Sequence, residues 1–163
     1  MYKTKISVKA LILKQNQVLA IKQVRKKGVY YSLPGGKQKR CESLIETLVR
    51  ECKEELGTEI FIDDLWALND STSEKEKADK LKRKHALEFV FRCEVPESYQ
   101  IHNGPSPDKG QVSVEWIDID TLRGVPFYPN WIKQALKERH FQRKIYHGLN
   151  PAYLFLLREN RIL

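Results

Sequence analysis

Long apolar runs are missing from this chain of 163 residues. The stretch Ala10-Leu11-Ile12-Leu13 near the N-terminus is bounded by Lys9 and Lys14. No unbroken segment of about 7 to 15 apolar residues, as an export signal requires, is therefore present. Nothing approaches the ~20 residues needed to cross a bilayer either, so no membrane partner is expected. Cysteine is scarce: Cys41, Cys52 and Cys93 are odd in number and lack metal-type spacing. That excludes a disulfide framework and a zinc site, and a reducing cytoplasm is the expected location. No internal repeat is evident. An apolar fraction of 41% and a charged fraction of 31% suit one soluble globular domain with a real core. The formal charge of +8 is spread along the chain, with Glu or Asp among most of the Lys and Arg. A solvated surface, a phosphorylated small substrate and nucleic acid all remain open as its meaning.

Two β-type runs, Ile6 to Leu13 and Gln17 to Gln23, flank the polar turn Lys14-Gln15-Asn16 and predict a hairpin. A basic connection (Arg25, Lys26, Lys27, Gly28) leads to a short strand, Val29 to Leu33, which Pro34-Gly35-Gly36 ends. The strongest helix runs from Leu44 to Leu56. Ser43 and Glu46 have capping-box spacing, and Gly57 stands where a helix C-terminal glycine belongs. Leu44, Ile45, Leu48, Val49, Cys52 and Leu56 recur at helical spacing as its buried stripe. A strand over Glu59 to Leu68 is expected next. The polar stretch Asp70 to Lys84 reads as an exposed loop or a solvated helical turn. A strand Ala86 to Val95, a Pro/Gly-rich loop Pro96 to Gly110 and a strand Val112 to Ile117 follow. Helices are predicted around Trp131 to Arg139 and near Tyr153 to Glu159. Strands interleaved with few helices indicate an α/β sandwich.

Glu51, Glu54 and Glu55 stand at i, i+3 and i+4, so they project from one side of the helix. Like charges this close repel, and Arg50 alone cannot neutralise all three. A hard divalent cation among their oxygens, typically Mg²⁺, would make the cluster favourable. A solvated face with Lys53 nearby is the plain alternative for these three residues taken alone.

The wider pattern decides between them. Gly36, Glu42 and the run Arg50-Glu51-Cys52-Lys53-Glu54-Glu55-Leu56-Gly57 resemble the Nudix box, G-x5-E-x7-R-E-U-x-E-E-x-G-U, with all seven fixed letters at correct spacing. By average residue frequencies a chance match in such a chain is on the order of one in a million. The preceding hairpin, the Leu33-Pro34-Gly35-Gly36 entry and the strand Val114-Glu115-Trp116-Ile117 are also similar to that family, over roughly residues 4 to 138. Three positions depart from its pattern. Thr58 replaces a bulky apolar residue, with Ile60 expected to take over its packing; Cys41 stands where many members have Gly, and Thr47 where many have Ala.

The resemblance implies a Nudix-type α/β/α sandwich with a mixed β-sheet over residues 1–140, and a helical tail, 141–163, packed on the same domain. It implies Mg²⁺ or Mn²⁺ held by Glu51, Glu54, Glu55 and the Gly35 carbonyl, with Arg50 orienting the carboxylates. Glu42 would support the loop from behind. The general base would be Glu51 or an acidic residue of a later loop; the matching loop here, Ile101 to Gln111, contains His102, Asp108 and Gln111 but no Glu. Arg25, Lys37, Tyr30 and Tyr31 are candidates for substrate contact, whereas Trp116 is expected in the core. Phe127, Tyr128 and Trp131 read as a helix-docking cluster or a dimer contact. The implied activity is cleavage of a phosphoanhydride bond in a nucleotide sugar, ADP-ribose, a dinucleoside polyphosphate or a nucleoside triphosphate. Removal of phosphate from an RNA 5′ end, a non-catalytic nucleotide sensor and a nucleic-acid-binding module are the alternatives. A homodimer is left open.

Overall fold

A computed structural model describes residues 4–26, 28–77, 80–137 and 146–148. Strand β1 (Thr4–Lys14) turns at Gln15-Asn16 into β2 (Gln17–Arg25), which pairs antiparallel with β3 (Gly28–Ser32). The predicted hairpin is therefore present. Helix α1 (Leu44–Leu56) follows, then β4 (Phe61–Lys77), β5 (Lys80–Glu94) and β6 (Gln111–Asp118). A 3₁₀ helix (Ile119–Gly124), β7 (Phe127–Tyr128), helix α2 (Asn130–Lys137) and β8 (Tyr146–Gly148) complete the described chain. The sheet is mixed. β1 lies parallel to β5 from Thr4↔His85 to Ile12↔Cys93, β4 is antiparallel to β5, and β6 is antiparallel to β2.

Alternation along β1 explains the layering. Val8, Ala10 and Ile12 face α1 and pack with Leu19, Ile21, Leu48, Cys52 and Leu56. Leu11 faces the other way, into a cluster with Val18, Ala20, Val90, Leu122, Phe127, Ile132 and Leu136 beneath α2. Phe127 is buried, and Trp131 stacks on Trp66 at 6.2 Å, so both dock α2. Tyr128 of the same trio stays exposed. Trp116 is half-buried against the α1-side core, as expected.

Three expectations need correction. Among its described residues the polar stretch 70–84 is neither loop nor helical turn: β4 and β5 run through it, paired from Asp70↔Leu87 to Lys77↔Lys80. β1 ends its pairing at His85, and beyond it the β4–β5 backbone ladder continues to Lys77↔Lys80. Such a ribbon needs no apolar alternation, which is the only signal a polar sequence could have shown. Second, Ile45 and Val49 are exposed, at 44% and 41%; the buried face of α1 instead carries Thr47, Leu48, Glu51, Cys52, Glu55 and Leu56. Third, Tyr146–Gly148 of the supposed helical tail is a strand, parallel to β4 at Leu68–Asp70. The helix expected near 153–159 lies outside the described residues. Among the described residues, no helix is long and apolar enough to cross a membrane.

Candidate active site

Everything that positions the carboxylates starts from the segment after β3. Leu33 to Gln38 runs back along β1: Ala10 N–H donates to Pro34 O, Val8 N–H to Gly36 O (both 2.9 Å), and Gln38 N–H to Ile6 O (3.1 Å). The approach is so close that a Cβ on Gly35 would lie 2.3 Å from Val8 O, and Gly35 sits at φ +117°. Only glycine fits there. The chain then reaches α1 through a tight turn in which Cys41 takes φ 67°. This is where glycine is usual in similar sequences, and the left-handed backbone gives the reason.

Helix α1 begins at Ser43 with both bonds of the predicted capping box, Glu46 N–H to Ser43 Oγ at 3.1 Å and Ser43 N–H to Glu46 Oε2 at 2.7 Å. Gly57 ends it at φ 68°. The helix is held at its far end by the loop 101–110, where Gly104 N–H donates to Glu55 O (2.8 Å) and Ser106 N–H to Glu54 O (3.1 Å). Gln111 Nε2 adds a third bond to Glu55 O at 2.9 Å. A Cβ on Gly104 would come within 2.3 Å of Glu54 O. Sequence reasoning did not single out Gly104; a glycine between His-Asn and Pro-Ser reads only as loop.

Arg50 organises the acidic side chains. Its guanidinium donates to Glu42 twice (Nε–Oε1 2.7 Å, Nη2–Oε2 3.0 Å), to Glu51 Oε1 at 2.9 Å and to Glu54 Oε2 at 3.1 Å. Its Nη2 also reaches Lys37 O at 3.3 Å. Glu42 Oε2 further accepts from Lys39 N–H and from Thr47 Oγ1, both at 3.0 Å, so the Thr47 hydroxyl ties the loop to the helix. With Arg50 first among its partners, the Glu42 carboxyl is held down at about 2. Glu42 thus locks the loop through Arg50, as the pattern suggested. Ile60 packs against the α1-side core, as expected.

The three helix glutamates differ in setting. Glu54 remains accessible, Glu51 is largely covered, and Glu55 is buried at 2% exposure with Oε2 accepting Gly35 N–H at 2.8 Å. Burial pushes the Glu55 carboxyl up to about 7, against the pull of Lys9. Lys9 Nζ itself donates to Leu33 O at 3.1 Å and, in a shorter contact, to Gly35 O. A Cβ on Gly36 would sit 2.5 Å from Glu51 Cδ, so the glycine makes room for that carboxylate. The donor set is hard oxygen throughout, and cationic side chains already rest on the Glu51, Glu54 and Gly35 oxygens. These residues fit a divalent cation in chemistry. Among the described residues, however, no three acidic, histidine or cysteine side chains are drawn into a ready ligand shell.

Beside this loop lies a cavity of about 880 Å³. Lys5, Lys9, Arg25, Lys26 and Lys37 give its wall a strongly positive character, Tyr30 and Tyr128 add aromatic surface, and Ser7 and Glu88 come from the paired strands β1 and β5. Arg25 lies over the Tyr30 ring at 5.1 Å from its centroid and donates to Gln23 Oε1 at 3.0 Å. Of the proposed substrate contacts, then, Arg25, Lys37 and Tyr30 line the cavity. Tyr31 is not among the lining residues: alternation turns it the other way, where its hydroxyl donates to Glu115 Oε2 at 3.0 Å. Lys5, Ser7 and Lys9 went unnoticed as wall residues, although they alternate with Ile6, Val8 and Ala10. Their period of two was the available signal. Asp108 lines an adjoining smaller cavity of about 630 Å³ that shares Arg25 and Lys26 with the first, and its carbonyl accepts from Gln111 N–H as a turn former would. His102 packs on Tyr99 at 5.6 Å, beside Gly57 at the end of α1.

Comparison with known proteins agrees with this arrangement. The NUDIX domain family model matches residues 3–140. A NUDIX hydrolase from Nitrosomonas europaea superposes with a TM-score of 0.61 at 22% identity, covering 85% of this chain and 89% of that one. A UDP-X diphosphatase gives 0.65 at 18% identity (90% and 68%), and an ADP-ribose pyrophosphatase from Streptococcus suis 0.58 at 18% (88% and 96%). No curated protein sequence matches. At these identities the structures speak for the fold, and the family model, spanning most of the chain, speaks for descent: the chain belongs to the NUDIX domain family.

Proposed function

We propose that this protein is a divalent-cation-dependent pyrophosphohydrolase that cleaves a phosphoanhydride bond in a nucleoside-diphosphate-linked substrate by attack of water on phosphorus. One observation carries the reading: a cavity wall bearing five cationic side chains reaches the box through Lys9, which bonds Gly35 O, and through Lys37, whose carbonyl accepts from the Arg50 that holds Glu51 and Glu54. Clustered acids suit a metal, clustered cations suit a polyphosphate, and only a reaction joining the two gives a reason for both. In this reading Glu51, Glu54, Glu55 and the Gly35 carbonyl hold Mg²⁺ or Mn²⁺. The ion supplies charge neutralisation at the phosphoryl oxygens and acidifies water.

The chain's own residues do the rest. Arg50 keeps Glu51 and Glu54 aimed, so its role is to orient. Lys37 and Arg25 bind phosphate oxygens from the cavity wall, and the Tyr30 ring offers a face for a base. Glu51 takes the proton from water: Gly36 makes room for its carboxylate, whereas Asp108 lines the neighbouring cavity, which shares Arg25 and Lys26 with this one. The test is a panel of nucleotide sugars, ADP-ribose, dinucleoside polyphosphates, nucleoside triphosphates and 5′-triphosphorylated RNA, with Mg²⁺ or Mn²⁺. Turnover of one class should be metal-dependent and fall at least ~100-fold in Glu54→Gln. Tight metal-independent nucleotide binding without turnover would refute the reading in favour of a sensor.

A further inference from the structure

Lys9 is one of the wall cations, and the function above gives it no role of its own. It lies on β1 between the core residues Val8 and Ala10. Its ammonium spans the Pro34-Gly35 turn by bonding both Leu33 O and Gly35 O. The second of these is an oxygen assigned to the metal. A full positive charge and a divalent ion cannot share it without strong repulsion.

A second, independent feature lies nearby. Glu88, paired with Ser7 across β1 and β5, lines the same cavity as Lys9. Its Oε1 is shut from solvent and has no hydrogen-bond partner. Such an orphaned acceptor is costly and calls for a donor that arrives in another state. Lys9 is also the foremost charge opposing the effect of burial on both Glu55 and Glu88, which places its ammonium within electrostatic reach of each.

We propose that Lys9 is a displaceable internal cation, which holds the Gly35 carbonyl in the metal-free protein and swings to Glu88 when a divalent ion takes that oxygen. This rests on the metal-dependent reading above. Lys9 is a positioning residue in this scheme: it keeps the Leu33–Gly36 turn in its binding shape while the site is empty, and it sets the metal affinity. Glu88 is its second resting place.

Mn²⁺ titration followed by electron paramagnetic resonance, on the full chain without substrate, tests the scheme. Lys9→Met should bind Mn²⁺ about tenfold tighter, because the competing charge is gone. Glu88→Gln should bind several-fold more weakly, because the displaced ammonium has lost its partner. The decisive arm is the double variant, in which the Glu88→Gln effect should vanish. Unchanged or weaker binding by Lys9→Met, or a Glu88→Gln effect that persists in the double variant, overturns the inference. Should Lys9→Met fail to fold, the wild-type protein still answers: the Lys9 side-chain ¹H–¹⁵N NMR signal must shift on adding Mg²⁺, and a stationary signal overturns the scheme. If neither wild type nor any folded variant binds Mn²⁺, the metal reading itself falls, and the inference falls with it.

Discussion

Replacing Gly36 with alanine would separate the site from the fold. A methyl built there lies 2.5 Å from Glu51 Cδ and Oε1 and 2.6 Å from Oε2, and meets no backbone among its nearest neighbours. Ordinary contact needs about 3.5 Å, so the carboxylate must withdraw by about 1 Å. The Arg50–Glu51 bond at 2.9 Å cannot survive that shift, whereas the two bonds to Glu42 and the one to Glu54 are untouched. Losing one net hydrogen bond costs about 1 kcal/mol, or a fall in Tm of about 3 °C for a chain of this size. Misplacing a group at the reacting centre by about 1 Å costs on the order of 100-fold in rate, about 2.7 kcal/mol. The expected result of Gly36→Ala is therefore a folded protein with kcat/KM down about 100-fold. Gly35→Ala supplies the contrast: its methyl would strike Val8 O at 2.3 Å from a φ of +117°, costing at least ~2 kcal/mol of stability. Gly124→Ala, in open space, is the control. Steady-state kinetics with thermal denaturation reads all three. Wild-type kcat/KM in Gly36→Ala, or a loss of Tm matching that of Gly35→Ala, would refute the placement of Glu51.

Two acid–base predictions concern the metal-free protein. Glu42 titrates at about 2 when folded and at the ordinary 4.5 when not, so its contribution to stability is complete above about pH 4.5 and is lost as pH falls toward 2. Glu42→Gln should flatten that part of the Tm-versus-pH curve, and a curve parallel to wild type would deny the Arg50 lock. Glu55 is shifted the other way, to about 7: its contribution is complete below about pH 4.5 and is lost as pH rises through 7. With chelator present, Glu55→Gln should gain Tm over wild type at pH 8 but not at pH 4, and should lose the stabilisation that Mg²⁺ gives wild type; a difference independent of pH would be the contrary result.

How much of this could be read beforehand depended on the range of the forces involved. Helix α1 was legible to the residue because its signals are local: Ser43 and Glu46 cap it three residues apart, and Gly57 ends it. Its buried face was only partly legible. Ile45 and Val49 are apolar yet exposed, while Glu51 and Glu55 are acidic yet buried, since the helix is rotated to aim carboxylates at the Gly35–Gly36 turn. Hydrophobic periodicity assumes that apolar residues go inside, and a site that must bury charge breaks that assumption. The ribbon over residues 70–84 failed for a different reason: its strands are held by cross-strand backbone pairing, which leaves no trace in side-chain pattern.

The cavity shows a third kind of limit. Arg25 and Lys37 were recognisable because they flank the box in sequence, but Lys9 and Glu88, nearly eighty positions apart, meet only because β1 and β5 run parallel. A lysine between Val8 and Ala10 looks like an interruption until its partners are known. Lys9 is half-buried, so its ammonium gains from oxygen acceptors close by. Here those acceptors are the carbonyls of Leu33 and Gly35, the turn that Val8 and Ala10 bind on either side. The strand thus grips the turn through its backbone and through this ammonium. Metal-free, the site is held together by Arg50 on the carboxylates and Lys9 on the carbonyl, and a divalent ion entering it must compete with both.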